Sequence, residues 1–146
     1  MLLASIFVVS FTKPPKIQIY VESLCPDCVD FLTTSYKNFL YNAPDHYSLA
    51  EVHIIPYGNA HEYKNEDGNY TYKCQHGPNE CYGNLVEICG LEVLTDITGN
   101  NELGHKFTIC IEENIHKVGK DFDKATVICL ADKPENYLTE VRACIK

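Results

Sequence analysis

Two cysteines two residues apart, Cys25 and Cys28, are the side chains whose type and spacing most directly imply chemistry. A C-x-x-C pair can cycle between dithiol and disulfide, supply half of a zinc site, or pair elsewhere in a disulfide framework. Its context favours the redox reading. Ile17, Ile19 and Val21 alternate with Gln18, Tyr20 and Glu22, which predicts a strand over 17–22. Val29, Leu32, Tyr36, Phe39 and Leu40 recur at helical spacing, which predicts a helix over 25–41. The pair thus sits where a strand hands over to a helix N-terminus, whose free N–H groups and dipole favour an anion. Cys25 is expected to be the thiolate nucleophile, and Cys28, one turn on, the thiol that attacks a mixed disulfide. Pro26 suits a first helical turn, whereas Asp27 opposes a second negative charge nearby.

The elements that must position this pair follow in order. Asn42-Ala43-Pro44-Asp45 closes the helix with a turn, and a strand over 49–55 carries Val52, Ile54 and Ile55. Strand, helix and strand at this length predict a parallel βαβ unit with a right-handed crossover. Residues 59–72 are polar and read as an exposed loop, with a glycosylation sequon at Asn69-Tyr70-Thr71. From Cys74 onward the pattern is helical. Helices are expected over 79–94, with Leu85, Val86, Ile88 and Leu91 inward, and over 103–118, with Phe107, Ile111, Ile115 and Val118 inward. Two shorter ones are expected over 122–131 and 134–144, the last with Pro134 in its first turn.

A chain of 146 residues with 45% hydrophobic content fits one domain with a core. Its net charge of −8 argues against nucleic acid or an anionic membrane surface as partner. Eight cysteines fit an oxidising, secretory compartment. Residues 1–12, with the apolar run Leu2 to Val9, read as a signal peptide, leaving 13–146 as the folded domain. That run is too short to span a bilayer, and no later segment is apolar enough to be transmembrane, so no membrane insertion is expected after cleavage.

A second constellation runs from Cys74 through Gln75, His76, Gly77, Pro78, Asn79, Glu80, Cys81 and Asn84 to Cys89. Physically, Gly77-Pro78 is a turn, Asn79 a possible helix N-cap, and His76 a polar loop histidine bonded to backbone. The pattern C-Q-H-G-x2-E-C-x2-N-x4-C resembles the signature of the gamma-interferon-inducible lysosomal thiol reductases at every fixed position. Ser23-Leu24-Cys25-Pro26-Asp27-Cys28 resembles that family's active-site segment, and Pro56-Tyr57-Gly58-Asn59-Ala60 the segment after its second strand.

The resemblance implies an α/β fold, a thioredoxin-like βαβ start with a disulfide-stapled helical insertion. It implies a thiol–disulfide oxidoreductase that reduces protein disulfides in an acidic luminal compartment, lysosomal or secreted. By motif match Cys25 attacks and Cys28 resolves. Cys74, Gln75, His76, Gly77, Glu80, Cys81, Asn84 and Cys89 transfer as a hallmark, with no catalytic step for His76. No metal and no organic cofactor is expected, only a small-thiol or protein electron donor. Cys74, Cys81, Cys89, Cys110, Cys129 and Cys144 are expected to form three disulfides among themselves, from fifteen possible pairings. The strand opened by a cis-proline, which thioredoxin-like enzymes set against the C-x-x-C, has no counterpart after Cys89, so the chain reads as truncated at its C-terminus. The competing reading is a non-catalytic, disulfide-stapled helical protein, a binder or a saposin-like lipid carrier.

Overall fold

The computed structural model describes residues 13–146, so the expected signal peptide at 1–12 lies outside the described residues. Strand β1 (Lys16–Val21) pairs in parallel with β2 (Glu51–Pro56), with Ile17 opposite Val52 and Ile19 opposite Ile54. Between them the chain forms one continuous helical rod in three parts: α1 (Pro26–Phe31), a π-helical segment (Leu32–Tyr36) and α2 (Lys37–Asn42). The π segment follows threonine chemistry, because the Thr33 and Thr34 hydroxyls donate to the Val29 and Asp30 carbonyls and draw on the helical ladder. The turn expected at 42–45 instead runs into a short helix, α3 (Pro44–Tyr47).

The polar loop expected over 59–72 is a hairpin. Strand β3 (His61–Lys64) pairs antiparallel with β4 (Tyr70–Lys73), and every residue of both is exposed. Asn65 N–H donates to the Asn69 carbonyl and Gly68 N–H to that of Asn65. Asp67-Gly68 is the turn dipeptide that makes such a hairpin, and the alternation of Tyr70 and Tyr72 is its strand signal. With no side buried, the segment lacks the apolar density by which strands are read. Asn69 lies exposed beside this turn.

Four helices complete the chain: α4 (Pro78–Thr98), α5 (Glu102–Asn114), α6 (Phe122–Cys129) and α7 (Glu135–Ile145). Helix α4 starts from Gly77 as N-cap rather than Asn79, whose amide instead donates to the Lys120 carbonyl. Helix α7 takes Pro134 as its N-cap. One core joins Val86, Leu94, Phe107, Ile111, Ile115, Phe122 and Val141 between the four helices. The other sets Leu32, Tyr36 and Leu40 against Val21, Val52, Ile54 and Ile109. Leu85, expected inward, is exposed, because it lines an open apolar groove of about 450 Å³ with Tyr57, Tyr72, Tyr82 and Ile88. The inward face of α4 instead carries Glu80, Asn84 and Glu87, spaced four and three apart.

The six cysteines from Cys74 onward form three disulfides, Cys74–Cys81, Cys89–Cys144 and Cys110–Cys129. Together they staple the β4–α4 turn and tie α4 to α7 and α5 to α6. Among the described residues no helix is long and apolar enough to cross a membrane.

Candidate functional site

Cys25 and Cys28 are the two cysteines left as thiols. Cys25 is the N-cap of α1 and Pro26 its first residue, as a strand-to-helix handover requires. The Cys25 N–H donates to the Glu22 carbonyl and its own carbonyl accepts from Val29. Both thiols are half-buried and line a pocket of about 250 Å³ with Tyr20, Val21, Glu22, Gly58 and Asn59. Burial pushes the Cys28 thiol up to about 11, against a lowering hydrogen bond from the Glu22 backbone, while its neighbour Cys25 raises it further.

The loop that presents this pair is gripped by the start of α4. Ser23 N–H donates to Asn84 Oδ1 at 2.9 Å, and Ser23 Oγ donates to the Glu80 carbonyl at 3.1 Å. Leu24 packs into the helical core with Val86. The close approach needs Gly83, where a Cβ would fall 2.2 Å from Ser23 Oγ and from the Phe122 ring. On the other side, Gly58 adopts φ +51°, and a Cβ there would meet the Glu22 side chain at 2.2 Å. Glu22 is thereby held against the 56–60 segment, with one carboxylate oxygen accepting the Asn59 N–H. The Asn59 amide in turn donates to Gln75 Oε1 at 2.8 Å.

His76 is not a loop histidine bonded to backbone through its ring. Its Nδ1 is hydrogen-bonded to Glu80 Oε2 and lies 3.4 Å from Glu22 Oε2, while its backbone N–H donates to Glu80 Oε1 at 3.0 Å. Glu80 thus works as a capping side chain at the third position of α4, reaching back over the turn. Gly77 supplies the N-cap, and Cys74 and Cys81 close the turn covalently. The stretch from Cys74 to Asn84 therefore converges on residues 22 and 23, immediately before the cysteine pair. Cys89 lies apart, buried under α7 through its bond to Cys144.

Two buried acids went unread in the sequence. Glu87 of α4 and Glu112 of α5 lie against each other, fully enclosed, and none of their carboxylate oxygens has a well-formed hydrogen bond among the described residues. Burial raises both carboxyls above the ordinary range, and Glu87 beside Glu112 raises the latter further, with smaller contributions from Cys28 and Cys25. A lone glutamate on a helix reads as solvent-facing. Only the four–three spacing of Glu80, Asn84 and Glu87 on one face hinted otherwise.

Residues 16–133 match the family model described as gamma interferon inducible lysosomal thiol reductase (GILT). The chain belongs to this family. It is 42% identical over 82 residues to the gamma-interferon-inducible lysosomal thiol reductase of Carassius auratus, covering 56% of this chain and 31% of that protein. It is 34% identical over 103 residues to the Mus musculus protein of the same name, covering 70% of this chain and 38% of that one. GILT-like protein 1 of Drosophila melanogaster is 39% identical over 84 residues, 57% of this chain and 32% of its own length. The matches span about a third of the length of these GILT relatives.

Proposed function

We propose that this GILT-family chain carries out thiol–disulfide exchange, reducing protein disulfides through Cys25 and Cys28 in an acidic luminal or extracellular compartment. The observation that carries the reading is the sorting of the eight cysteines. Six are paired with one another, and the two left as thiols share one pocket at a strand-to-helix handover.

In the proposed reaction the Cys25 thiolate attacks one sulfur of a substrate disulfide, and the other substrate sulfur leaves as a thiolate and takes a proton. Cys28 stays a thiol during this step, because its burial holds it up at about 11. It then gives up its proton and attacks Cys25 Sγ. The mixed disulfide breaks, the second substrate thiol departs, and Cys25–Cys28 is left oxidised, two electrons having passed to substrate. A small thiol or a reductase protein returns the pair to the dithiol, and no metal or organic cofactor enters the balance. The apolar groove at Tyr57, next in sequence to Gly58 of the cysteine pocket, offers contact to an unfolded substrate segment. A thioredoxin-like ancestry fits the parallel βαβ arrangement of β1 and β2.

The test is reduction of a denatured, disulfide-linked immunoglobulin at about pH 5 with a small-thiol donor. Cys25→Ser should abolish turnover, and Cys28→Ser should accumulate a mixed disulfide at Cys25. Undiminished turnover in Cys25→Ser would overturn the reading.

A further inference from the structure

We propose that Glu22, His76 and Glu80 form a binding site for a divalent transition-metal cation of the zinc class, beside the cysteine pocket that Glu22 helps to line. Each residue offers one ligand atom, and the three atoms lie within 4.8 Å of one another. Two carboxylates and one imidazole are a donor set that such ions accept, with bonds of ~2.0–2.2 Å. Ligand atoms around a tetrahedral ion with such bonds stand roughly 3.4 Å apart. His76 Nδ1 and Glu22 Oε2 stand at 3.4 Å, whereas His76 Nδ1 and Glu80 Oε2 are in hydrogen-bond contact and would have to part for an ion to enter.

The supporting contacts turn the three ligand atoms toward one another, Glu22 Oε2 without a partner and His76 Nδ1 hydrogen-bonded to Glu80 Oε2. Glu22 Oε1 is held by the Asn59 N–H and Glu80 Oε1 by the His76 N–H. Each carboxylate therefore keeps its second oxygen, Oε2, for a common partner, the arrangement by which outer contacts orient metal ligands. Glu22 Oε2 is buried, with the side chain 3% exposed, and has no hydrogen-bond partner among the described residues. A buried carboxylate oxygen without a donor is costly, and a cation at this point would satisfy it. The hydrogen bond between His76 Nδ1 and Glu80 Oε2 occupies the same lone pairs, so the ion would displace that proton and bind in its stead.

The three ligands come from the β1–α1 loop, the β4–α4 turn and the first turn of α4. They escape a search for closely spaced ligand pairs, since only His76 and Glu80 are near in sequence and Glu22 is brought in by the fold. A bound ion would fasten the α4 start to the loop before Cys25 without using either thiol.

The experiment uses the disulfide-intact chain carrying Cys25→Ser and Cys28→Ser, so that thiols cannot hold the metal. Zn²⁺ is titrated in competition with a chromogenic chelator at neutral pH, and thermal melting is followed with and without Zn²⁺. The expected result is one Zn²⁺ per chain with a rise in melting temperature. Adding Glu22→Gln or His76→Ala should each weaken binding at least tenfold and remove the rise. Glu22→Gln keeps size and the Asn59 contact, and it decides the matter if His76→Ala melts early. Absence of Zn²⁺ binding in the double-serine chain, or equal binding after Glu22→Gln, would overturn the proposal.

Discussion

Ser23 and Asn84, 61 positions apart, are joined by a buried hydrogen bond of 2.9 Å from the Ser23 N–H to Asn84 Oδ1. Through that bond the helix start at 78–84 sets the backbone two residues ahead of Cys25. Asn84→Ala would leave a buried N–H without an acceptor, which costs about 1–3 kcal/mol. Urea unfolding of the two proteins side by side reads this directly, and equal midpoints would mean that the bond holds nothing.

Gly83 should tolerate no side chain. A methyl group there would meet both Phe122 and Ser23 Oγ at 2.2 Å, and neither can retreat from its packed position without moving the loop or α6. Overpacking of this kind costs about 1–3 kcal/mol. Gly83→Ala should lower the unfolding midpoint and also blur the difference in reactivity between Cys25 and Cys28, measured by alkylation of the reduced protein.

With limiting iodoacetamide, label should appear on Cys25 before Cys28. Cys28 is held up at about 11, chiefly by burial, so at neutral pH it is almost wholly thiol. In a Cys25→Ser chain the labelling of Cys28 should keep climbing with pH, roughly tenfold per unit, from about pH 8 to pH 10. A plateau near pH 8 would contradict the assigned burial.

The Glu87–Glu112 pair should make the fold weaken as pH rises. Both carboxyls are raised in the folded chain above the ordinary glutamate value of 4.5, so the folded state binds more protons than the unfolded state above that value. Their contribution is therefore full below about pH 4.5 and is lost as pH rises toward the folded values. His105 works in the opposite sense, since its burial lowers it to about 4 and protonation then opposes folding. Glu112→Gln isolates the acid pair. Between about pH 5 and pH 7 its stability should fall less than that of the parent, by on the order of 1 kcal/mol or more. Parallel curves in chemical denaturation at the two pH values would refute this.

Among the disulfides, Cys89–Cys144 should matter most to stability. It closes a separation of 55 residues, against 19 for Cys110–Cys129 and 7 for Cys74–Cys81. Loop-closure entropy alone then predicts a loss of about 4 kcal/mol for the first and about 2 kcal/mol for the last when both cysteines become serine. Guanidinium unfolding of the paired serine variants would check the order.

The sequence by itself determined the local elements and the place of the cysteine pair, because these rest on spacing along the chain. The alternation from Ile17 to Val21 and the helical run from Leu32 to Leu40 appear as β1 and the α1–α2 rod, with Val21, Leu32, Tyr36 and Leu40 buried while Ile17 at the start of the strand stays exposed. The order of cysteines and polar residues from Cys74 to Cys89 also carried the family. Contact between distant residues was another matter. Which of fifteen pairings the six cysteines adopt depends on how α4, α5, α6 and α7 pack, and no spacing states it. That Asn84 turns toward Ser23, Glu80 toward His76 and Glu87 toward Glu112 was decided by the tertiary structure alone. Charged residues on a helix default to solvent in sequence reasoning, and their burial follows only from packing that supplies a partner, as His76 does for Glu80, or that raises the carboxyl, as for Glu87 and Glu112. The β3–β4 hairpin shows the converse, since a strand pair with no buried side leaves turn chemistry as its sole trace.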